Sequence, residues 1–392
     1  MSAEEFINSD VKKLGRSLLW EFFDLASSTE NVISLSVGEP DFKTPWHISE
    51  EGIYAIEKGR TYYPPTRGLE QLRRGIAKYY KRRFNVENYT NENVLVTNGA
   101  SEAIDLVCRV VLEPGDECLV LDPGYVAYEP SVLVTGATPV YLELEEKNGF
   151  KVTKEQLEAK ITDKTKMIIL NYPSNPTGGV MTREDYEEII PLLKEHRILT
   201  VCDEIYMELS YGVEPCSMGI FEDFRDQLVI VNGFSKAYSM TGWRLGFMIA
   251  DKVIIEACNS IHQYGAMGAS TPSQFAGVEA ISEKSDQDIE EHKQSFEARR
   301  NFIVARLNRM GLYTPMPQGA FYVFPNITST GLSSYDFCVR LLKEEKVCVI
   351  PGTAFGPSGE GHIRISYAYS LEELKLALEK IEHFLETLKA GN

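Results

Sequence analysis

Short apolar runs and amphipathic stretches alternate through much of this chain. Strands are expected at about 94–97, 118–122, 139–144, 167–171, 198–203, 228–232 and 246–250, most of them rich in Val, Ile, Leu or Met. Between many of them the apolar spacing becomes helical, at about 101–112, 124–134, 154–160 and 182–195. Continuous apolar strands separated by helices describe a mainly parallel sheet covered by helices, an α/β fold. On such sheets ligands bind beyond the carboxyl ends of the strands, so the residues at those ends carry the chemical interest.

The flanks follow other patterns. Residues 3 to 28 place Phe6, Val11, Leu14, Leu18, Leu19, Phe22, Phe23 and Leu25 at mostly helical spacing, an amphipathic arm suited to its own domain or to a second subunit. Residues 32–37 alternate like a strand and stop at Gly38-Glu39-Pro40-Asp41. Helices are expected at about 47–58 and 69–83, separated by a stiff loop in which Tyr62 and Tyr63 precede Pro64-Pro65 and either present a phenol outward or pack. Past 251 helices dominate, with a long polar one at about 284–309. Short strands then follow at about 320–324, 347–350 and 362–366, with helices at about 334–345 and 371–388. The expected organisation is an arm and part of a small domain over 1–45, a large α/β domain over 46–290, and a smaller α+β domain over 291–392.

Composition narrows the function. Against 57 Asp+Glu stand 40 Lys+Arg, a net charge of -17 over 392 residues, which disfavours nucleic acid and anionic membrane as partners. Any anionic ligand must be held by local donors. The seven cysteines fall mostly in apolar runs with no Cys-x-x-Cys pair, and the six histidines form no metal constellation. The cysteines read as small buried residues of a reducing compartment, and no metal is expected. The first residues show no basic region leading into an apolar segment, and no apolar run approaches 18 residues. A cytoplasmic protein is expected.

Several strand ends carry unusual side chains. Lys236 lies in the loop between the apolar runs 228–231 and 247–250, and is either an ordinary surface lysine or an amine held near apolar walls with a lowered pKa. The turn Gly99-Ala100-Ser101 offers backbone N–H groups and a hydroxyl to an anion, or simply begins a helix. Tyr125 follows the strand ending at Asp122 and either stacks on a planar ring or belongs to the core. In Asn171-Tyr172-Pro173-Ser174-Asn175-Pro176-Thr177-Gly178 two prolines lock a loop that holds Asn175, whose amide can donate to an oxygen. Asp203 emerges from an apolar strand and needs a cation, donors or a cap, with Tyr206 three residues on. Arg364, between two isoleucines, needs an anion, either a ligand or a buried salt-bridge partner.

Taken together, Asn-Pro-Thr-Gly, Asp-x-x-Tyr, Ser-Lys with an Arg eight residues later, and the late Arg-Ile-Ser resemble the class I/II pyridoxal-phosphate-dependent aminotransferases. The likeness runs from Gly38 to the C-terminal helix, in the family's order and spacing. It implies the aspartate-aminotransferase-like, fold type I architecture with pyridoxal 5'-phosphate as cofactor. It further implies that Lys236 bonds to the cofactor aldehyde and then carries the substrate Cα proton, while Asp203 keeps the ring nitrogen protonated. Asn175 and Tyr206 would hold the ring oxygen, and Tyr125 would stack on the ring. Gly99, Ala100, Ser101, Ser235 and Arg244 would surround the phosphate. Arg364 would clamp the substrate carboxylate beside Gly38 and Asn175. Tyr63 matches the tyrosine lent across the subunit boundary, which implies a homodimer with shared sites. Where many relatives have a serine three residues before the lysine, this chain has Gly233.

The expected activity is transfer of an amino group from an L-amino acid to a 2-oxo acid, 2-oxoglutarate first, by a two-half-reaction (ping-pong) mechanism. No Arg occurs between 245 and 298 to bind an acidic side chain, although Arg67 is near Tyr63. With Tyr62, Tyr63, Tyr125 and Tyr264 near the expected pocket, neutral or aromatic donors are favoured. A carbon–sulfur β-lyase shares the same key residues. A non-catalytic pyridoxal-phosphate-binding regulator fits the acidic chain less well.

Overall fold

The computed structural model describes residues 3–390, so Met1, Ser2, Gly391 and Asn392, at the ends of the expected terminal segments, lie outside the described residues. Twelve strands occur in the described residues. They are β1 (Ile33–Ser34), β2 (Val94–Thr97), β3 (Glu117–Asp122), β4 (Thr138–Glu143), β5 (Thr165–Asn171), β6 (Leu199–Asp203), β7 (Leu228–Gly233), β8 (Gly246–Ala250), β9 (Tyr322–Val323), β10 (Val347–Cys348), β11 (Ile350–Pro351) and β12 (Ile363–Ser366).

Seven form one sheet in the order β2-β8-β7-β6-β5-β3-β4. The pairs from β7 to β4 are parallel, and β8 runs antiparallel to both β7 and β2. The mainly parallel sheet expected from continuous apolar runs is therefore present. Ile168, Ile169, Val201, Cys202, Ile230 and Val231 are each 2% exposed or less, so alternate side chains are buried on both faces. Antiparallel pairing of β7 and β8 leaves residues 234–245 as the loop that joins them, and this loop carries Lys236.

The remaining strands lie apart from this sheet. β12 pairs antiparallel with β11 and β9, and β1 pairs parallel with β10, so the N-terminal segment is hydrogen-bonded to residues near the other end of the chain. The expected strand over 347–350 is divided at Val349, because its two halves pair with different partners. The strand expected over 32–37 is reduced to Ile33–Ser34. Beyond it the backbone serves Arg364 and β12 instead of a strand partner, through Ser36 C=O and the Leu35 C=O that accepts from Ser366 N–H.

Two helix expectations also change. The arm is not one helix but three pieces, Ala3–Phe6, Ser9–Lys13 and Leu18–Ser27, interrupted where Leu14 and Ser17 take extended conformations on either side of Gly15 and Arg16. The helix expected at about 124–134 begins only at Tyr128, since Gly124 N–H donates to Phe355 C=O at 2.8 Å instead of entering a helix. Helices Trp46–Glu57, Glu70–Phe84, Ala100–Val111, Lys154–Lys160, Arg183–Glu195, Asp286–Met310, Ser334–Glu345 and Leu371–Ala390 lie within about two residues of their expected bounds. No helix among the described residues is long and apolar enough to cross a membrane.

Candidate active site

A cleft of about 330 Å³ opens beyond the carboxyl ends of β5, β6 and β7. It brings together Gly38, Ala100, Ser101, Tyr125, Asn175, Asp203, Tyr206, Ser235, Lys236, Arg244 and Arg364, residues drawn from across the length of the chain.

Lys236 is partly buried, and its Nζ donates to the Gly38 carbonyl at 2.6 Å. The Tyr206 and Phe321 ring centroids each lie 5.9 Å from it. Burial pulls its pKa down to about 8, opposed by Glu39 and reinforced by Arg364 and Arg244. Among the described residues no acidic side chain forms a salt bridge with it. The reading of Lys236 as an ordinary surface lysine therefore does not describe its surroundings.

Asp203 ends β6 and is 4% exposed. Burial raises its carboxyl to about 6, while hydrogen bonds from Tyr128 OH at 2.8 Å and Ile205 N–H at 3.1 Å oppose the rise. The Ile205 bond is a local cap, but Asp203 has no salt bridge among the described residues. Asn171 Nδ2 donates to the Asp203 carbonyl at 3.0 Å, and Asn171 Oδ1 accepts from Asn175 N–H at 2.9 Å. The loop after β5 is thereby fixed to the end of β6.

Arg364, 2% exposed, has no acidic partner among the described residues. Nη1 donates to Asn175 Oδ1 at 3.0 Å, Nη2 donates to Ser36 C=O, and Nε has no partner among the described residues. The guanidinium is stacked between the rings of Tyr322 at 4.5 Å and Phe355 at 4.7 Å. A buried salt bridge does not explain Arg364, whereas an anion entering the cleft would satisfy the orphaned donor. Asn175 Oδ1 accepts from Arg364, while its amide nitrogen makes no bond to the described residues and can donate to an oxygen in the cleft.

At the other end of the cleft, Ala100 and Ser101 open the helix Ala100–Val111, whose first N–H groups have no helical partners. Arg244, solvent-facing and in a left-handed conformation at φ 52°, donates to Thr241 C=O at 3.1 Å and has no salt bridge among the described residues. Gly99 does not line the cleft but permits this arrangement. Its φ is +82°, and a Cβ there would lie 2.8 Å from Arg244 Nη2. Gly38 is constrained likewise, since a Cβ on it would come within 2.1 Å of Tyr322 OH.

Two expected residues lie elsewhere. Tyr63 is 80% exposed in a loop beside Ala266 and Gly268, outside the cleft of its own chain. Arg67 is engaged by Glu92 and Glu256, so it is not a free clamp for an acidic substrate. Gly233 sits in the pairing of β7 with β8, where a Cβ would lie 3.1 Å from Leu245 C=O and 3.2 Å from Gly246 Cα. The tight strand pair favours glycine there.

Sequence reasoning missed several residues of the cleft. Tyr128, three residues after Tyr125, is the hydroxyl donor to Asp203. Tyr322 shares a hydrogen bond of 2.8 Å with Tyr206 and stacks under Arg364. Glu39 accepts from Thr241 Oγ1, joining the segment around Gly38 to the Lys236 loop. Leu19, Trp20 and Phe23, from the arm, form an apolar wall. Nothing in the arm's periodicity said which surface it covers.

The donor set suits pyridoxal phosphate: a lysine amine with a lowered pKa, a buried carboxylate lacking a salt bridge, an anion cradle at a helix start, and an orphaned guanidinium nitrogen. The family model for aminotransferase class I and II matches residues 30–381. The chain is 43% identical to the putative aminotransferase YugH of Bacillus subtilis over 97% of this chain and 98% of that one. It is 40% identical to an aspartate aminotransferase of Pyrococcus abyssi, over 97% and 96% of the two chains. The crystal structure of an aromatic aminotransferase from Pyrococcus horikoshii superposes with a TM-score of 0.90 at 40% identity, covering 94% of this chain and 99% of that one. Since the family's match extends through every strand and loop that builds the cleft, this chain belongs to the class I and II aminotransferases and is a pyridoxal-phosphate-dependent enzyme.

Proposed function

We propose that the enzyme transfers the amino group of a neutral or aromatic L-amino acid to 2-oxoglutarate by a ping-pong mechanism, as a cytoplasmic homodimer. The observation that carries the reading is Arg364, a buried guanidinium facing the same cleft as Lys236, with no carboxylate of its own and one donor unpartnered.

When bound, pyridoxal phosphate supplies an aldehyde that joins amines and a ring that accepts the electrons left when a Cα–H bond breaks. Arg364 orients the substrate through its α-carboxylate, with Gly38 beside it. Lys236, with its pKa near 8, would serve as the base that takes the substrate Cα proton and gives it back. Asp203 would keep the ring nitrogen protonated. Asn175 and Tyr206 would hold the ring oxygen, and Tyr125 would stack on the ring. Ala100, Ser101, Ser235 and Arg244 would hold the phosphate, with Gly99 giving Arg244 room.

Donor preference is argued from what lines the cleft. Its cations are Lys236, Arg244 and Arg364, each already assigned, while Leu19, Trp20 and Phe23 are apolar. The relatives bear both aspartate and aromatic names, so the names do not decide. A second copy is supported by Tyr62 and Tyr63 on one loop and Tyr264 in the last turn of the helix Lys252–Gly265, all at least 80% exposed. Tyr63 would then complete the partner's phosphate site. We read 46–290 as the cofactor-binding unit, with 1–45 and 291–392 forming the rest. Buried thiols and net charge support the cytoplasmic assignment.

The test is a panel of amino acids supplied singly to the holoenzyme, following the change in cofactor absorbance. Strong preference for aspartate would overturn the donor assignment. Pyruvate and ammonia released from cystathionine without an oxo-acid acceptor would replace transfer by β-elimination. Full activity in Lys236→Ala would remove Lys236 from catalysis.

A further inference from the structure

A second buried polar cluster lies behind the strand ends that carry Asp203 and lead to Lys236, and no step above uses it. Asp203 turns toward Tyr128, whereas the next residue, Glu204, meets the helix Glu70–Phe84. One Glu204 oxygen accepts from Ser217 Oγ at 2.8 Å and Met218 N–H at 3.3 Å, and the other accepts from Tyr80 OH at 3.1 Å. Tyr80 in turn accepts from Asn232 Nδ2 at 2.8 Å, and Asn232 Oδ1 accepts from Gly233 N–H at 2.7 Å. Glu204, Tyr80, Asn232 and Ser217 are all 5% exposed or less.

Stability alone is a poor reason for such a cluster, because well-packed apolar side chains of similar volume often serve a core as well or better. Its location gives another reason. Gly233 is where β7 ends and the Lys236 loop begins, and a glycine has no side chain of its own to anchor that turn. The turn is anchored by Asn232, Asn232 by Tyr80, and Tyr80 by Glu204, whose own N–H donates to Val231 C=O at 2.8 Å. The chain of bonds therefore begins beside Lys236 and ends beside Asp203.

We infer that Asn232, Tyr80 and Glu204 are positioning residues that hold the Lys236 loop in register with Asp203. The inference rests on the roles proposed above for those two residues. None of the three lines the cleft. They act by keeping the base and the ring-nitrogen partner on one rigid frame, where small displacements are costly to rate.

The test compares Tyr80→Phe, Glu204→Leu, Glu204→Gln and the Tyr80→Phe/Glu204→Leu pair as holoenzymes. Three quantities are measured: the pH titration of cofactor absorbance, kcat and KM with the donor the panel selects, and the melting temperature. Tyr80→Phe keeps the ring packed against Phe84 and Phe247 and removes only the hydroxyl. It is expected to displace the titration midpoint and lower kcat by about tenfold to 100-fold, with KM within about twofold. Glu204→Leu should match it. The pair should be little worse than the more damaging single change, because both break the same chain. Glu204→Gln retains an oxygen acceptor for Tyr80 and should recover most of kcat.

Melting temperatures that fall while titration and kcat stay unchanged would overturn the proposal, as would additive losses in the pair. Should Glu204→Leu fail to fold, Tyr80→Phe and Glu204→Gln decide it. Lys236→Ala separates the two levels. If it stays active the underlying site reading fails, whereas an inactive Lys236→Ala beside an unaltered Tyr80→Phe overturns the positioning chain alone.

Discussion

Tyr128 donates its hydroxyl to Asp203 Oδ2 at 2.8 Å, and this bond opposes the rise that burial imposes on the carboxyl. Removing it with Tyr128→Phe should raise the Asp203 pKa above its value of about 6, leaving less anion to hold the ring nitrogen near neutrality. A hydrogen bond to a charged group is worth about 1.5–3 kcal/mol, so kcat should fall by roughly tenfold to 100-fold. The loss should grow as pH is lowered from 8 to 6. A pH profile of kcat checks this, and a parallel profile for variant and parent would count against it.

Lys236 should capture its cofactor as the free amine. With its pKa lowered to about 8, the rate at which apo-enzyme takes up pyridoxal phosphate should rise with pH and level off above 8, well below the ordinary lysine value of 10.5. Glu39 raises that pKa, so Glu39→Gln should move the midpoint lower. Stopped-flow absorbance at a series of pH values measures both.

The apo-protein should be more stable without the Asp203 carboxyl. The folded-state pKa of Asp203 is raised from 3.8 to about 6, so its relative contribution to stability is fully present below pH 3.8 and lost as pH rises through 6. The difference amounts to about 3 kcal/mol for this buried group. Asp203→Asn should accordingly raise the apo melting temperature at pH 7.5 while weakening cofactor binding. Calorimetry and cofactor titration on one preparation test the two halves together.

Arg364→Lys should not rescue substrate binding, because an ammonium cannot reproduce two parallel hydrogen bonds or the stack between Tyr322 and Phe355. We expect kcat/KM to fall by roughly tenfold to 100-fold. The cofactor absorbance of the resting enzyme should be unchanged. A changed resting spectrum would point to a role in holding the cofactor instead.

How much of this was legible in the chain depended on the kind of signal. Six of the seven central strands stood out because they are buried on both faces and so are apolar at nearly every position, while the edge strand β4 is largely only half-buried. Lys236, Asp203 and Arg364 were conspicuous as charges next to apolar runs. Tyr128 and Tyr322 were not, because a tyrosine in a core and a tyrosine in a site look alike until the hydroxyl's partner is known. Arg67 misled in the other direction. Its proximity in sequence to Tyr63 said nothing of Glu92 and Glu256, which hold it. The arm breaks once where Asn8 caps a new helix and again around Gly15, and apolar periodicity records neither.

The parallel pair β1–β10 has a consequence for how the enzyme is made. Residues 33–36 leave the ribosome early, yet their partners Val347, Cys348, Arg364 and Ser366 follow only on the order of tens of seconds later. Until then a nascent chain carries Lys236 and Asp203 on a sheet that can close, but no substrate clamp. Contacts so distant in sequence fold slowly, so the proposed carboxylate site is assembled late. A truncated or stalled product would hold the proposed base and ring-nitrogen partner without the proposed substrate clamp.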